Sequence, residues 1–461
     1  MDRIFEVMNP GRRFIAWGCL SLFFVPLEAA CGGPNPTDIV RRNEAQTVVV
    51  YLNPNRDQEP IREQRVVQGE SLSEPRWVPE SPDGYTFGGW YADSACTIAF
   101  NFDQPIESSD TLYAFYSQDL CLTDSGMIAR VTGRNLVSES DLPNPNETDA
   151  RWGLGGTDLG IIWEMAPGKY GLFFGDSYGS DFVPVVGGGP GAAGDWRSNV
   201  LAYSEDEELS DGLTFSGMAT DPNCANRARE IIPRENYKLF TSIPTAAIAL
   251  DGRQYVHYMY WQVGFDYDPI NYSSIYSSED GGLTWRSCRD RIVFDAHSKF
   301  GMVAYATRPE DPYCYMLGTH IGRSGSAYLA RFPYKDILNS SAYEYWNAVT
   351  GKWVRADERS ATVVLDGTVG ELSLLWHEKY RRWIVLYFDQ ERYAICYRSA
   401  ARINGEWSKE RILVQGTDYP QLYGSYMHPL SSKGDVLYYT MSEWVPYNVY
   451  LMKATIHPFK N

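Results

Sequence analysis

The sequence predicts an all-β protein whose larger part is a β-propeller. Three observations carry that reading. From about residue 119 onward, short apolar–aromatic runs alternate with Gly, Asp, Ser and Pro clusters, among them YGLFFGD, SNVLAYS, YVHYMYW, RWIVLYF, DVLYYTMS and YNVYLMK. No long segment keeps a helical period, and a single sandwich rarely holds so many short strands, which leaves radial repetition. Finally, Ser278-Glu279-Asp280-Gly281-Gly282-Leu283-Thr284-Trp285 fits the S-x-D-x-G-x-T-W pattern known as the Asp-box. In that pattern Asp accepts turn N–H groups, Gly supplies the unusual backbone angle and Trp packs beneath, so its expected role is to close a blade hairpin.

The N-terminus reads as a sorting signal. Arg12 and Arg13 precede the apolar run FIAWGCLSLFFVPL (14–27), followed by EAACGG. A basic start, an apolar stretch too short to span a bilayer and small residues before a cut form a secretory pattern. Residues 1–30 are therefore expected to be a signal peptide and 31–45, rich in Gly, Pro and polar residues, a tether. Ala29-Ala30-Cys31 resembles a bacterial lipoprotein cleavage site with Cys31 lipidated, although Glu28 departs from that pattern. The expected location is the cell envelope, or the exterior if Cys31 stays a plain thiol. Six cysteines lie beyond Cys31, and oxidising surroundings lead us to expect some to pair. No CxxC or HxxxH spacing calls for a metal, and nothing calls for a cofactor.

Composition narrows the partner. A net charge of −17 repels phosphate backbones, so nucleic acid is not expected, and membrane contact is expected only through the anchor. The 33 Tyr and 14 Trp suit β-rich packing and surfaces that stack on sugar rings.

Residues 46–118 stand apart as a small β-rich domain with Gly turns. Gly84-Tyr85-Thr86-Phe87-Gly88-Gly89-Trp90-Tyr91, followed by Thr111-Leu112-Tyr113-Ala114, closely resembles the Listeria–Bacteroides repeat, a β-grasp-like module of bacterial surface proteins. We expect a separate domain whose removal leaves the 119–461 domain intact.

The chemistry points to one hairpin, GGTDLGIIWEMAPGKYGLFFGD (155–176). A turn at Pro167-Gly168 places Asp158 opposite about Ser177, and Asp176 opposite about Leu159. Within one residue of register, the two aspartates are cross-strand neighbours, with Cβ atoms roughly 4.5–5.5 Å apart. An Asx-turn at each strand end is the plain alternative. Paired carboxylates of this kind are what glycoside hydrolysis needs: one protonates the leaving oxygen and the other activates water or attacks. In DWRSNVLAYS, Trp196 offers a stacking face, Arg197 can hold one carboxylate ionised, and Asn199 adds a polar group to the candidate substrate site.

GGTDLGI, FFGDSYG, WRSNVLAYS, SSEDGGLTW, VGELSLLW and YGSYMHP…YNVYLMK together resemble a bacterial family long described as a domain of unknown function. That family is associated with endo-D-arabinanases on a five-bladed propeller. The likeness spans about 125–456. It implies five blades, the D-arabinan of arabinogalactan and lipoarabinomannan as substrate, and Asp158 and Asp176 as the catalytic pair. We read Asp176 as general acid and Asp158 as base. Cross-strand proximity favours retention whereas the resemblance implies inversion, so the stereochemistry stays open. Secondary substrate-binding candidates are Arg323, Glu371, Tyr426, His428, Trp444 and Asn448. For Arg323 and Glu371 an ion pair is the competing reading, and for His428 a satisfied core histidine. A non-catalytic glycan-binding surface protein, or a glycosidase of other specificity on the same fold, competes with the whole assignment. A sialidase is disfavoured because no arginine triad is seen.

Overall fold

The computed structural model describes residues 46–184, 194–234, 240–262, 270–419 and 421–460. The expected signal peptide, tether and Cys31 lie outside them. Thr47–Asn461 is one compact unit.

Its N-terminal part is a four-stranded sheet in the order Arg62–Val67, Thr47–Asn53, Asp110–Gln118, Tyr85–Tyr91. The two middle strands run parallel, with Leu52 beside Leu112. In TVVVYLN, Val48, Val50 and Leu52 point inward, as a period of two requires, onto Phe87, Trp90 and Leu112.

The rest is built on a ring of five antiparallel sheets and includes a short two-stranded one, Thr220–Asp221 with Cys224–Ala228. The first blade holds Leu159–Ala166, Lys169–Phe174, Val200–Ser204 and Gly217–Met218. The second begins with Phe240–Leu250, the third with Met302–Ala306, the fourth with Leu372–His377 and the fifth with Leu422–Met427. These five innermost strands touch in sequence, and the fifth touches the first, so the ring closes. Closure is completed by the chain's own order. Leu120–Arg130, from the start of the propeller, is the outer strand of the fifth blade, beside the C-terminal Asn448–Pro458. This is the five-bladed all-β propeller that the sequence led us to expect.

The Asp-box does what its residues suggest. Asp280 accepts from the Thr284 N–H at 2.8 Å and from the Ser278 hydroxyl at 2.8 Å. Those donors and the Thr284 hydroxyl hold its carboxyl down at about 2. Gly281 and Gly282 supply φ of +72° and +86°. Trp285 packs edge-on against Trp163 and Phe173 of the first blade, so the turn braces two blades.

The N-terminal sheet is docked on the fourth blade. Arg382 is fully buried and donates to Ser117, to Thr86 Oγ1 at 2.8 Å and to Asp119 Oδ1 at 2.9 Å. Glu406 Oε2 accepts from the Phe87 N–H at 2.7 Å and from Ser81 Oγ. Arg402–Glu74 and Lys409–Asp83 add ion pairs around this contact.

The expectation of disulfides is not met among the described residues. Cys96, Cys121, Cys224, Cys288, Cys314 and Cys396 are all free thiols, and Cys288, Cys314 and Cys396 are buried. No helix of the described residues is long and apolar enough to cross a membrane.

Candidate active site

All five blades send groups to one end of the ring axis, where the innermost strands begin. Asp158 immediately precedes Leu159–Ala166, and Asp176 follows the paired strand Lys169–Phe174. Gly156 bridges Tyr178, and the Thr157 and Ser177 hydroxyls meet at 2.8 Å. That pairing continues to place Asp158 opposite Asp176, within the one-residue register allowance made from the sequence.

Local backbone strain aims the first of them. Leu159 has φ of +69° and Gly160 of +80°, at a register shift between Leu159 and Ile161. A branched side chain in the left-handed region is costly, so the surroundings hold it there. The Leu159 N–H donates to Ser442 Oγ at 2.8 Å, across to the fifth blade. A Cβ on Gly160 would lie 3.0 Å from Val449 and 3.2 Å from Thr440, so the close approach needs glycine.

The two carboxyls have different surroundings. Asp158 Oδ2 accepts from the Tyr423 hydroxyl at 2.9 Å, and its Oδ1 is buried with no donor. Asp176 Oδ1 accepts twice, from Trp196 Nε1–H at 3.0 Å and from the Thr241 hydroxyl at 2.6 Å. Both side chains keep part of their surface open, so a ligand can reach them. Burial, and then the charge of Asp176, raise Asp158 to about 7, against the Tyr423 and Tyr447 hydroxyls and Arg323. Burial raises Asp176 to about 6, against its Thr241 and Trp196 donors. Two carboxyls with separated proton affinities supply an acid and a base at one place. The lower of the two values belongs to Asp176, whose Oδ1 accepts from two donors.

Arg323 and Glu371 are at this end too. Arg323 donates through Nε and Nη2 to Glu371 Oε1 at 2.8 and 2.5 Å. It lies 5.0 Å from the Tyr423 ring centroid. Tyr426 is buried and within electrostatic reach of Glu371 and Asp158, so it lies beneath the site and is not a free platform. Trp444 is 41 % exposed and edges against Tyr423 and Tyr447, placing it on the rim. Trp196 reaches the site through its N–H, and Arg234 stacks on its ring at 4.3 Å, in the place expected for a sugar.

Four candidates fall elsewhere. Arg197 is buried and donates to the carbonyls of Ala228 and Gly153, not to a carboxylate of the pair. Asn199 is a buried staple, bonded to the backbone of Ile231, Ile232 and Ser242. Asn448 is likewise spent on Thr132 and on the carbonyls of Gly155 and Pro446. His428 lies at the far end of the first hairpin, against Tyr170, where its Nδ1 caps the Leu430 N–H. Each satisfies backbone groups that burial would otherwise leave unpaired.

Sequence reasoning missed Thr241 and Tyr423. Thr241 carries no motif. Tyr423 sits one residue before Gly424, where a bulge at φ of +60° breaks the alternation that would have placed it.

The chain has curated relatives in fungi. It is 26 % identical over 331 residues to "Notoamide biosynthesis cluster protein J" of Aspergillus sp. (strain MF297-2), covering 68 % of this chain and 84 % of that protein. A counterpart from Aspergillus versicolor, protein J′, is 26 % identical over 330 residues, covering 68 % and 86 %. Among solved structures, a putative hydrolase from Bacteroides ovatus ATCC 8483 aligns with a TM-score of 0.46 at 13 % identity, covering 67 % of this chain and 87 % of that one. The GH43_1 enzyme from Xanthomonas citri aligns at 0.40 and 11 %, covering 66 % and 88 %. A family 117 glycoside hydrolase produced by Zobellia galactanivorans aligns at 0.39 and 13 %, covering 72 % and 90 %. Residues 50–115 match the Listeria–Bacteroides repeat domain. Residues 143–453, more than half of the chain and the part that carries both aspartates, match the family described as a domain of unknown function, DUF4185, and the chain belongs to that family.

Proposed function

We propose that this protein is an exported glycoside hydrolase that cuts within arabinan-type cell-wall polysaccharide, with D-arabinan as substrate. The observation that carries the reading is the pair Asp158 and Asp176, opposed on one hairpin at an open site with unequal hydrogen-bond donors. A glycan-binding surface has no need of two crowded carboxyls of raised proton affinity. D-arabinan is preferred because of the ordered motifs along the propeller that resemble endo-D-arabinanases.

In this reading Asp158, raised by burial and by the neighbouring Asp176 charge, carries the proton and delivers it to the leaving glycosidic oxygen. Asp176 stays ionised because two donors share its Oδ1, and it activates water or attacks the anomeric carbon. The oxocarbenium-like charge that develops is stabilised by the Asp176 carboxylate. Trp444 on the rim offers a ring face to a further sugar of the chain. Residues 1–30 export the protein, and Cys31 carries the lipid that holds it at the cell envelope.

The test is product analysis with the full exported chain on D-arabinan and on L-arabinan. Oligosaccharides from D-arabinan, lost in both Asp158→Asn and Asp176→Asn, are the expected result. The anomer first released, read by proton NMR, decides between retention and inversion. Binding of D-arabinan without cleavage would replace this reading with that of a glycan-binding protein.

A further inference from the structure

We propose that Arg323 and Glu371 form the positioning pair of Asp158, acting through the Tyr423 ring. The inference rests on the reading of Asp158 as the group whose protonation governs the site.

The geometry joins three blades on one carboxyl. Arg323 lies between the third-blade strands Tyr313–Thr319 and Ala327–Pro333. Glu371 immediately precedes the innermost fourth-blade strand, where its carbonyl accepts from the Phe388 N–H at 3.2 Å. The guanidinium is fixed by two bonds to one oxygen, Glu371 Oε1. Its planar group lies 5.0 Å from the Tyr423 centroid and 5.4 Å from that of Phe388. A cation held over an aromatic face fixes the ring, and a rigid fork fixes the cation. Tyr423 belongs to the fifth blade, and its hydroxyl ends on Asp158 Oδ2 at 2.9 Å. Glu371 therefore holds Arg323, Arg323 holds Tyr423, and Tyr423 orients Asp158. Glu371 Oε2 is buried with no donor, so the ion pair runs through Oε1 alone.

The pair also meters charge. Asp158 faces Asp176 and Tyr178 from its own hairpin, Tyr423 and Tyr447 from the fifth blade, and Arg323 from the third. Arg323 is the cation of that group. Burial opposes its charge, but Glu371 more than offsets this and keeps it protonated. Arg323 eases ionisation of Asp158, and Glu371 tempers how much positive field arrives. Removing either partner then has opposite consequences. Loss of the Arg323 charge makes Asp158 harder to ionise. Loss of the Glu371 charge leaves Arg323 uncompensated and makes Asp158 easier to ionise.

The experiment follows the Asp158 carboxyl by 13C NMR titration of the full chain labelled at aspartate Cγ, with the signal assigned by Asp158→Asn. Arg323→Gln is expected to move the midpoint up and Glu371→Gln to move it down, each by at least about half a pH unit. Arg323→Lys keeps the charge and loses the fork, so its midpoint stays near that of the parent. Shifts in the same direction, or no shift in either variant, would overturn the proposal. If Arg323→Gln does not fold, Glu371→Gln decides alone: a downward shift supports the pair, and an unmoved midpoint refutes it. No substrate is needed. Failure to cut any glycan would sink the hydrolase reading and leave this one standing, whereas cleavage of D-arabinan with unmoved titrations would sink this one only.

Discussion

Gly175 shows how closely the site is built. A Cβ placed there would lie 2.3 Å from Asp158 Oδ1, and its backbone is in a region that any residue adopts. Gly175→Ala is therefore expected to displace the carboxyl with little cost to the fold. Hydrolysis should fall by roughly 100-fold or more, the range seen when a catalytic group is misplaced by about an ångström. Thermal unfolding should be nearly unchanged, and a large loss of stability would show that Gly175 is a fold residue. The same carboxyl makes a stability prediction. Asp158 is raised from 3.8 to about 7, so the folded state holds its proton more tightly than the unfolded chain does. Its favourable contribution is complete below pH 4 and is lost as pH rises through about 7. Asp158→Asn should then be more stable than the parent at pH 8, by about 1–2 kcal/mol after allowance for the open part of the side chain, with the gap closing near pH 4. Denaturant unfolding at the two pH values checks this, and a destabilised Asp158→Asn at pH 8 would contradict it. For activity, kcat/KM should peak between the Asp176 value of about 6 and the Asp158 value of about 7. Tyr423→Phe removes a bond that lowers Asp158, so the basic limb should move to higher pH.

At the scale of elements, the opening hairpin was the most legible. Its turn residues and its two apolar runs gave the register to within one residue, because side-chain alternation leaves few other pairings. The Asp-box was legible for the same reason: its hydrogen bonds join residues four apart or closer. Asp280→Ala should lower the unfolding temperature and leave hydrolysis of soluble substrate unchanged, since the turn touches Trp163 and Phe173 rather than the site. A matching fall in kcat would place that turn in the site after all. Less legible were the bulges at Leu159–Ile161 and Tyr423–Ser425. Each inserts a phase change into a strand, and parity counted from the sequence fails beyond it. Polar residues in rich company, such as Asn199 and His428, were drawn toward the site by composition alone. In the fold they hold backbone groups.

For the whole molecule, the closed ring and the docked N-terminal sheet decide stability. Arg382 is buried between the two parts, with Thr86 and Ser117 among its partners. A fragment beginning at residue 119 keeps Asp119 but loses the Thr86 and Ser117 oxygens that now accept from the guanidinium. Losing these charge-assisted bonds and uncovering the fourth-blade surface beneath the sheet is expected to cost this fragment roughly 1–3 kcal/mol relative to the full chain. Equal denaturation midpoints would show that the N-terminal domain is freely removable. The N-terminal sheet is then a buttress of the fourth blade as much as a spacer.

The sequence by itself determined the strand content, the propeller class, the Asp-box and the opposed aspartates, because each depends on alternation and turns within a few tens of residues; the number of blades came only with the family resemblance. Only the tertiary structure decided which polar residues belong to the site. Tyr423, Thr241, Arg323 and Glu371 come to Asp158 and Asp176 from four other blades, through ring closure. Contacts between residues 65 to 265 positions apart leave no periodic trace along the chain. The proton affinities followed the same division, since they depend on how much protein surrounds each carboxyl and on which donors the ring brings to it.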